Sequence, residues 1–549
     1  MSPEKKDIQD LLLPLINNSL KDLGLDKLPE QDLILDTPVS GGFGDLSCNI
    51  AMRLSRQIKE PPVKIAGRVI ESIKTNLKGN FLEPLIVEIK VEGAGFINFY
   101  LSDAYFYQEL KDIIISKGES LKRDYGKGKK VLIEFVSANP TGSLSVAHAR
   151  QAVVGDVLAN IFDFLGFNIS REYYLNDEGN QINILGRSVE ARLKELEGEK
   201  IEFPENYYQG DYIYDIARQA KESGIKGEEN FSNYAGEYIL NIIKKELDDF
   251  RVKFDCWYSQ KALRESGKID QAFAYLKSKG YLYEQEGALW FKSTAFGDDK
   301  DRVVIKSDGS LTYLAPDIAY HQDKYKRGFE WLINLWGPDH HGYIGRLKAA
   351  VQAFSQSPES LAIIIVQLAS IFREGKPVEM STRRGQYISL REVLDEVGVD
   401  ASRFFFIMRR TSSHLSFDLE IAKKQTPENP VYYIQYAHAR ICSILKQTPC
   451  ADIDKVDFGL LKEKEELDLI KKLWKFTYIL NVCLKTLDPY MLTVYLQEVA
   501  ESFHRFYDRH RVLGVEPGLT QARLNLILAT KIVFSRGLGL IGVSSPEKM

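Results

Sequence analysis

The most constraining feature of the sequence is a strand–loop–helix unit around residue 140. Residues 131–135 (VLIEF) form a short apolar run that fits a parallel strand buried on both faces. The strand cannot continue through the next segment, SANPTG, because Pro140 lacks a backbone N–H and Gly142 permits unusual dihedral angles. Apolar residues then recur at helical spacing from position 146 until Gly166, which predicts the end of a helix.

Other segments extend this alternation. Buried strands are predicted at residues 169–174, 331–336 and 363–367, and a hairpin is predicted to turn at Glu286-Gly287. Strands that alternate with helices favour a parallel sheet. The predicted fold class of this part of the chain is therefore α/β.

The segments before and after the predicted sheet region have different patterns of apolar residues. An N-terminal α+β domain (1–115) is predicted from alternating patterns at 86–89 and 96–99. Amphipathic segments separated by proline and glycine predict an all-α bundle over 426–549. The parallel-sheet domain takes 116–425 and includes a charged, mostly helical insertion at about 176–260.

Composition excludes several classes of protein. The chain has 549 residues with 72 Lys and Arg against 76 Asp and Glu, so total charge gives no argument for a nucleic-acid partner. No apolar run approaches the ~20 residues of a membrane span, and the first residues lack the hydrophobic segment of a signal peptide. The five cysteines are scattered without a CxxC pair, which indicates reduced thiols and no zinc site. We expect a cytoplasmic protein without a membrane partner.

The helix that follows SANPTG is the first candidate site. The first turn of a helix presents free backbone N–H groups and a positive dipole end to anions, and in a parallel sheet it lies at the carboxyl edge of the strands, where ligands bind. His148 is predicted to lie about one turn inside this helix and to point toward a bound phosphate. Taken alone, an ordinary surface or core histidine is the more common interpretation.

A set of motifs resembles the class I aminoacyl-tRNA synthetases, and among them the arginyl-tRNA synthetase family. SANPTG followed by SVAHAR is similar to the His-x-Gly-His element of that class. Six further motifs stand in the order of the family, namely EYYLND (172–177), YLAPDIAY (313–320), WGPDHHGY (336–343), MSTRRG (380–385), DASRFF (400–405) and YIQYAHAR (433–440).

The resemblance implies a fold and a reaction. It implies a Rossmann-like catalytic domain, an N-terminal domain that contacts the tRNA elbow and a C-terminal domain that binds the anticodon. The family uses ATP, with Mg²⁺, to convert L-arginine to arginyl-adenylate, and then passes the arginyl group to the terminal adenosine of tRNA(Arg). Neither step needs a protein nucleophile; both need positioning and positive groups where charge builds on the pyrophosphate. We expect a monomer.

The resemblance also implies residue roles. The implied arginine-binding residues are Glu134, Ser137, Asn139, Tyr313, Asp317 and Asp339. The implied ATP-binding residues are Thr141, Gly142, Ser145, Ala147, His148, His340, Tyr343, Gln367, Met380 and Ser381. The implied catalytic residues are Ser145, His148, Ser381, Arg383 and Arg384, and the implied tRNA-binding residues are Tyr436, Arg440, Arg505 and Arg509.

Elementary chemistry supports the arginine-binding set. A guanidinium is a rigid fork of donors that pairs well with buried carboxylates. If YLAPDIAY begins a helix, Asp317 lies one turn after Tyr313 and shares its face. Lysine would reach such a pocket, but its ammonium group cannot make the paired hydrogen bonds of a guanidinium. A carboxylate would be left unpaired, which would disfavour the binding of lysine.

Two signature elements depart from the family pattern. Ser145 and Ala147 replace the first histidine and the glycine of His-x-Gly-His. Ser145 donates one hydrogen bond but is never cationic, and the Ala147 methyl group stands where the family lets adenine approach the backbone closely, which we expect to raise the ATP requirement. In the Lys-Met-Ser-Lys loop, Glu379 and Thr382 replace both lysines.

Gly142 stands where many arginyl enzymes have a substitute lysine. We therefore expect Arg383 to stabilise the pyrophosphate. The departures leave two alternatives to an active arginine–tRNA ligase: a catalytically impaired paralogue that binds tRNA, and an enzyme of the same fold that charges another amino acid.

Overall fold

The computed structural model describes residues 7–25, 33, 35–38, 42–378 and 388–549. The chain divides into two compact units. The first unit, called the N-terminal unit below, comprises residues 1–121, 448–475 and 502–532. The second, called the sheet unit, comprises residues 122–447, 476–501 and 533–549.

The secondary structure within the described residues is as follows. The strands are β1 (Leu35–Asp36), β2 (Leu46–Cys48), β3 (Ile86–Glu92), β4 (Phe96–Leu101), β5 (Lys130–Glu134), β6 (Asn168–Leu175), β7 (Cys256–Ser259), β8 (Leu282–Gln285), β9 (Ala288–Phe291), β10 (Arg302–Ile305), β11 (Trp331–Trp336), β12 (Leu361–Ile365), β13 (Ala369–Arg373), β14 (Lys376–Pro377) and β15 (Leu415–Asp418). The helices are α1 (Ile8–Asp22), α2 (Ile50–Ile58), α3 (Pro62–Leu77), α4 (Asp103–Ile115), α5 (Val146–Phe164), α6 (Asn180–Leu196), α7 (Tyr212–Glu222), α8 (Glu228–Asp249), α9 (Gln260–Glu265), α10 (Lys268–Ser278), α11 (Leu314–Lys326), α12 (Ile344–Ala353), α13 (Leu390–Ile407), α14 (Leu419–Lys423), α15 (Pro430–Gln447), α16 (Lys464–Trp474), α17 (Phe476–Thr486), α18 (Tyr490–Arg509) and α19 (Pro517–Leu540).

The N-terminal unit is built on an antiparallel sheet with strand order β1-β2-β4-β3. The strand patterns predicted at 86–89 and 96–99 are confirmed as parts of β3 and β4. Helix α16 packs on α4, where the Trp474 ring lies edge-on to Tyr105. The Lys471 ammonium lies 2.8 Å from an Asp45 carboxylate oxygen. Part of the predicted C-terminal bundle therefore belongs to this unit.

The sheet unit is organised around five parallel strands in the order β12-β11-β5-β6-β7, which confirms the predicted α/β class. The chain leaves β5 toward β6 and β7 on one side and later adds β11 and β12 on the other, so the strand order switches between β5 and β11. Such a switch point opens a crevice at the carboxyl ends of the strands. The strand predicted at 363–367 begins two residues earlier, because β12 pairs in register with β11 and Ile365 lies opposite Trp336.

Helix α5 is buried on nearly all sides against this sheet. Gly155 allows the helix to approach β5, since a Cβ there would lie 2.3 Å from the Phe135 ring. Asp156 forms an ion pair with Arg403 of the DASRFF motif, and both side chains are buried. The position of the N-terminus of α5 is therefore fixed by packing along the whole helix.

Two peripheral elements match their predictions. The segment predicted as a helical insertion contains α6, α7 and α8, between β6 and β7. The predicted hairpin is confirmed as β8 and β9, joined by Glu286 and Gly287 with φ of 53° and 74°, as a two-residue turn requires. No helix within the described residues is long and apolar enough to cross a membrane.

Candidate active site

A cleft of about 790 Å³ opens outside the carboxyl ends of β5 and β11. Ten of the residues identified from the sequence line it, and they are Glu134, Ser137, Asn139, Ala147, His148, Tyr313, Asp317, Asp339, His340 and Tyr343. They come from strand β5, the loop after it, the start of α5, the start of α11 and the segment after β11. The fold thus brings together side chains that are up to about 200 positions apart in the sequence.

A strained turn carries the chain from β5 into the cleft. The Ser137 N–H donates to the Phe135 carbonyl at 2.9 Å, which closes a γ-turn around Val136. Val136 and Ser137 both have positive φ, 67° and 42°, an unusual conformation for any residue with a side chain and above all for a β-branched one. Strain of this kind persists where the surrounding structure holds it in place, and here it directs Ser137 and Asn139 toward the cleft.

One end of the cleft is organised by Asp317 in the first turn of α11, so the predicted helix start is confirmed. The Tyr343 hydroxyl donates to Asp317 Oδ2 at 2.8 Å. Burial raises the pKa of Asp317 to about 6, although the bond from Tyr343 opposes the shift; the nearby Glu134 charge adds to it. Tyr313, at the N-cap of α11, is 79% exposed and lines the same cleft.

The second carboxylate at this end, Glu134, is held by a residue that sequence reasoning missed. The fully buried Lys324 ammonium lies 2.5 Å from Glu134 Oε2 and 3.2 Å from Asn334 Oδ1. The other oxygen, Oε1, accepts a long 3.4 Å hydrogen bond from Ser137. A signal was available, because Lys324 follows Asp317 by seven residues, two helical turns on the same face.

The opposite end of the cleft is the N-terminus of α5. The backbone N–H of Ser145, the N-cap residue, donates to Nδ1 of His148 at 3.2 Å. The imidazole proton is then on Nε2, the nitrogen left for a ligand. Burial lowers the pKa of His148 to about 4. Near neutral pH the side chain of His148 is therefore a neutral hydrogen-bond donor.

A cation that sequence reasoning overlooked also lines the cleft. Arg346, on α12, lies with its guanidinium carbon 5.3 Å from the centre of the Tyr343 ring. Its buried Nε atom has no hydrogen-bond partner within the described part of the chain. An arginine next to a proposed substrate-binding tyrosine carries little signal in a single sequence, because charged residues in the first turn of a surface helix are common.

The remaining predicted residues lie elsewhere. Thr141, Gly142 and Ser145 belong to the loop behind the cleft wall, and the carbonyl of Gln367 accepts a hydrogen bond from Arg150 at 2.7 Å. These four are absent from the cleft lining. Four predicted residues lie outside the described residues, namely Met380, Ser381, Arg383 and Arg384.

The predicted tRNA-binding residues lie on two helices. On α15, Tyr432 and Tyr436 stack with ring centres 6.1 Å apart, and the Arg440 guanidinium carbon lies 5.5 Å from the Tyr436 ring centre. On α18, Arg509 forms an ion pair with Glu465. Arg505 lies on the same helix, one turn before Arg509.

Known protein families match the chain over most of its length. The profile of the "tRNA synthetases class I (R), catalytic domain" matches residues 109–419. The "Arginyl tRNA synthetase N terminal domain" profile matches residues 10–101, and the "DALR anticodon binding domain" profile matches residues 434–549.

Individual relatives agree with these profiles. The arginine–tRNA ligase of Geobacter sp. (strain M21) is 47% identical over 529 residues, 94% of each chain, and that of Caldanaerobacter subterraneus is 44% identical over 561 residues, 99% of each. The structure of Thermus thermophilus arginyl-tRNA synthetase superposes with a TM-score of 0.78 over 99% of this chain and 100% of that one, at 20% identity, which shows the same fold. These matches support the interpretation as an active ligase, and they give no support to the alternative of an impaired paralogue. The chain belongs to the arginine–tRNA ligase family of class I aminoacyl-tRNA synthetases.

Proposed function

We propose that this chain converts L-arginine and ATP to arginyl-adenylate in the cleft and transfers the arginyl group to tRNA(Arg). The observation that carries the proposal is that one cleft holds two carboxylates, Asp317 and Glu134, at one end and the N-terminus of α5 at the other. In the first step the arginine carboxylate attacks the α-phosphorus of ATP and pyrophosphate leaves. In the second the 2′-hydroxyl of the terminal adenosine attacks the carbonyl carbon and AMP leaves.

The carboxylate end recognises arginine in this proposal. Asp317 pairs with the guanidinium as a carboxylate, and the Tyr343 hydroxyl fixes its orientation. Lys324 occupies Oε2 of Glu134, which leaves Oε1 for the substrate ammonium. Asn139 and Asp339 complete the polar wall of this pocket.

The α5 end binds ATP in this proposal. The Nε2–H of His148 and the first-turn N–H groups of α5 donate to the phosphates. Positive charge comes from Arg383 and Arg384, and the Ser381 hydroxyl of the same segment donates a hydrogen bond. No cluster of three metal-ligating side chains exists within the described residues. In this proposal Mg²⁺ enters with the triphosphate, whose negative charge it would neutralise.

The tRNA-binding surface includes the stacked pair of Tyr432 and Tyr436 with Arg440, because RNA bases stack on aromatic and guanidinium planes. Arg505 and Arg509 contribute phosphate contacts. We further propose that the protein is a cytoplasmic monomer.

Charging of tRNA(Arg) with labelled arginine tests the function. Lysine, citrulline and a reaction without tRNA run in parallel, each at several ATP concentrations. Citrulline has the shape of arginine without its positive charge, so it separates charge recognition from fit. Charging with arginine alone is the expected result; tRNA binding without charging at any ATP concentration would overturn the proposal.

A further inference from the structure

The loop that links β5 to α5 is stabilised by hydrogen bonds with residues outside the parallel sheet. We call residues 137–145 the signature loop; it has no regular secondary structure and carries Ser137 and Asn139 of the cleft wall. It begins at the strained Val136 and ends at Ser145, the N-cap of α5. A loop without a hydrogen-bonded ladder of its own needs external partners to keep one conformation.

Each helix of the insertion supplies one such partner. On α6, Gln181 Oε1 accepts from the Asn139 side-chain amide at 2.6 Å. The Tyr212 hydroxyl, at the start of α7, donates to the Thr141 carbonyl at 2.6 Å. The three contacts follow the loop in order, and the third comes from α8.

The α8 contact is the most deeply buried. Glu246 is 5% exposed, and its Oε2 accepts from the Leu144 backbone N–H at 3.1 Å. The Leu144 carbonyl in turn accepts from the Leu390 N–H at 2.7 Å, and Ser145 forms a β-bridge with Ser389. Glu246 thus supports the point where the signature loop meets the start of α13.

This meeting point is important because of what each side carries. The signature loop leads into His148, one turn inside α5. Ser389 caps α13 and follows the segment that contains Ser381, Arg383 and Arg384 in the sequence. One carboxylate in the insertion therefore supports the loop that leads into His148 and, through Leu144, contacts the start of α13.

We propose that the insertion is a positioning element for adenylate formation, and that Tyr212 and Glu246 are its positioning residues. The inference rests on the proposed function, since it concerns the rate of the same reaction. Neither residue lines the cleft, so neither touches the substrates. Each acts by keeping the signature loop in the geometry that brings the arginine carboxylate and the α-phosphorus together.

The experiment measures single-turnover charging of tRNA(Arg) at saturating ATP and arginine, per active site determined by titration. Tyr212→Phe removes only the hydroxyl group, and Glu246→Leu removes the acceptor. Loss of the Tyr212 hydrogen bond predicts a rate about tenfold lower. Glu246→Leu removes the acceptor of both the Leu144 N–H and the Ser143 side chain, so its rate should be at least as low. Glu246→Gln keeps an amide oxygen that accepts from Leu144, so its rate is expected within about twofold of wild type. Glu237→Ala, an exposed change on α8, is the matched control.

The outcomes separate the two proposals. A purely structural role lowers the melting temperature and the number of active sites but leaves the rate per site unchanged, and that result would overturn the inference. A Glu246→Gln variant that is as slow as Glu246→Leu would also overturn the inference, because the rate would then depend on the negative charge of Glu246 and not on its hydrogen bond. Tyr212→Phe keeps the test decisive if Glu246→Leu does not fold. A wild-type protein that charges no tRNA contradicts the proposed function itself.

Discussion

The two ends of the cleft are built differently. At the arginine end, Asp317 and Glu134 are carboxylates with fixed partners, Tyr343 and the buried Lys324. At the nucleotide end, the described residues offer a helix N-terminus and the neutral His148. One end is therefore organised by buried charge, and the other by dipoles and hydrogen-bond donors.

This difference follows from the two ligands. Arginine brings one cation that must be distinguished from lysine, which requires charge in a fixed geometry before binding. ATP brings several negative charges together with Mg²⁺, so its site needs hydrogen-bond donors that are already in place. Substitutions at the arginine end should therefore have larger effects than those at the nucleotide end.

The largest effect is expected from Asp317→Asn. The substitution keeps the shape of the side chain but leaves the guanidinium without its carboxylate, so kcat/KM for arginine should fall by about 1,000-fold or more. Steady-state charging over a range of arginine concentrations measures it, with the exposed Asp299→Asn as control. A decrease of less than about tenfold in kcat/KM would mean that Glu134, and not Asp317, recognises the guanidinium.

Arg383→Ala tests the nucleotide end. If Arg383 supplies positive charge to the pyrophosphate, its loss should slow adenylate formation by about 100-fold, while the KM for arginine changes little. Arg384→Ala is the matched neighbour, and the ratio of the two rates identifies which arginine acts. Equal, unchanged rates would assign the charge to Arg346 and contradict the contrast between the two ends.

The pH dependence of arginine use reports the charge at Asp317. The pKa of this carboxyl is raised to about 6, so it gains a proton as the pH falls through 6, and kcat/KM for arginine should then fall about tenfold per pH unit. Tyr343→Phe removes the hydrogen bond that favours the ionised form, which should move the acid limb upward by about one unit. Near pH 6 the variant should be about fivefold less efficient, and near pH 8 the difference should be smaller. If the acid limb of the kcat/KM profile is at the same pH in Tyr343→Phe as in the wild type, a group other than Asp317 controls it.

The sequence predicted this architecture well where periodicity and turn residues agree. The helix from Val146, the hairpin at Glu286-Gly287 and the start of α11 follow from local rules, and the motifs placed ten residues in one cleft. The protonation state of His148 was not predictable in this way, because its pKa is lowered by burial, against the opposing effect of the Asp339 charge.

Residues that act through others were also missed. Lys324 and Glu246 reach their partners from 190 and 102 positions away in the sequence. Both are buried. The seven-residue spacing places Lys324 on the same face of α11 as Asp317, but it does not identify the carboxylate that Lys324 contacts. Only the folded arrangement of β5, α8 and α11 shows what each one contacts.

The smallest effect is expected from Ala147→Gly, which restores the family glycine at the nucleotide end. Ala147 lines the cleft, so removing its methyl group should let adenine approach the backbone and lower the KM for ATP by about two- to fivefold. Glycine in a helix also costs about 1 kcal/mol of stability, so the melting temperature should decrease slightly. Ala149→Gly separates the two effects, because Ala149 is buried in the same turn of α5 and is absent from the cleft lining. If Ala149→Gly lowers the KM for ATP as much as Ala147→Gly does, the gain comes from a looser helix N-terminus and not from room for adenine.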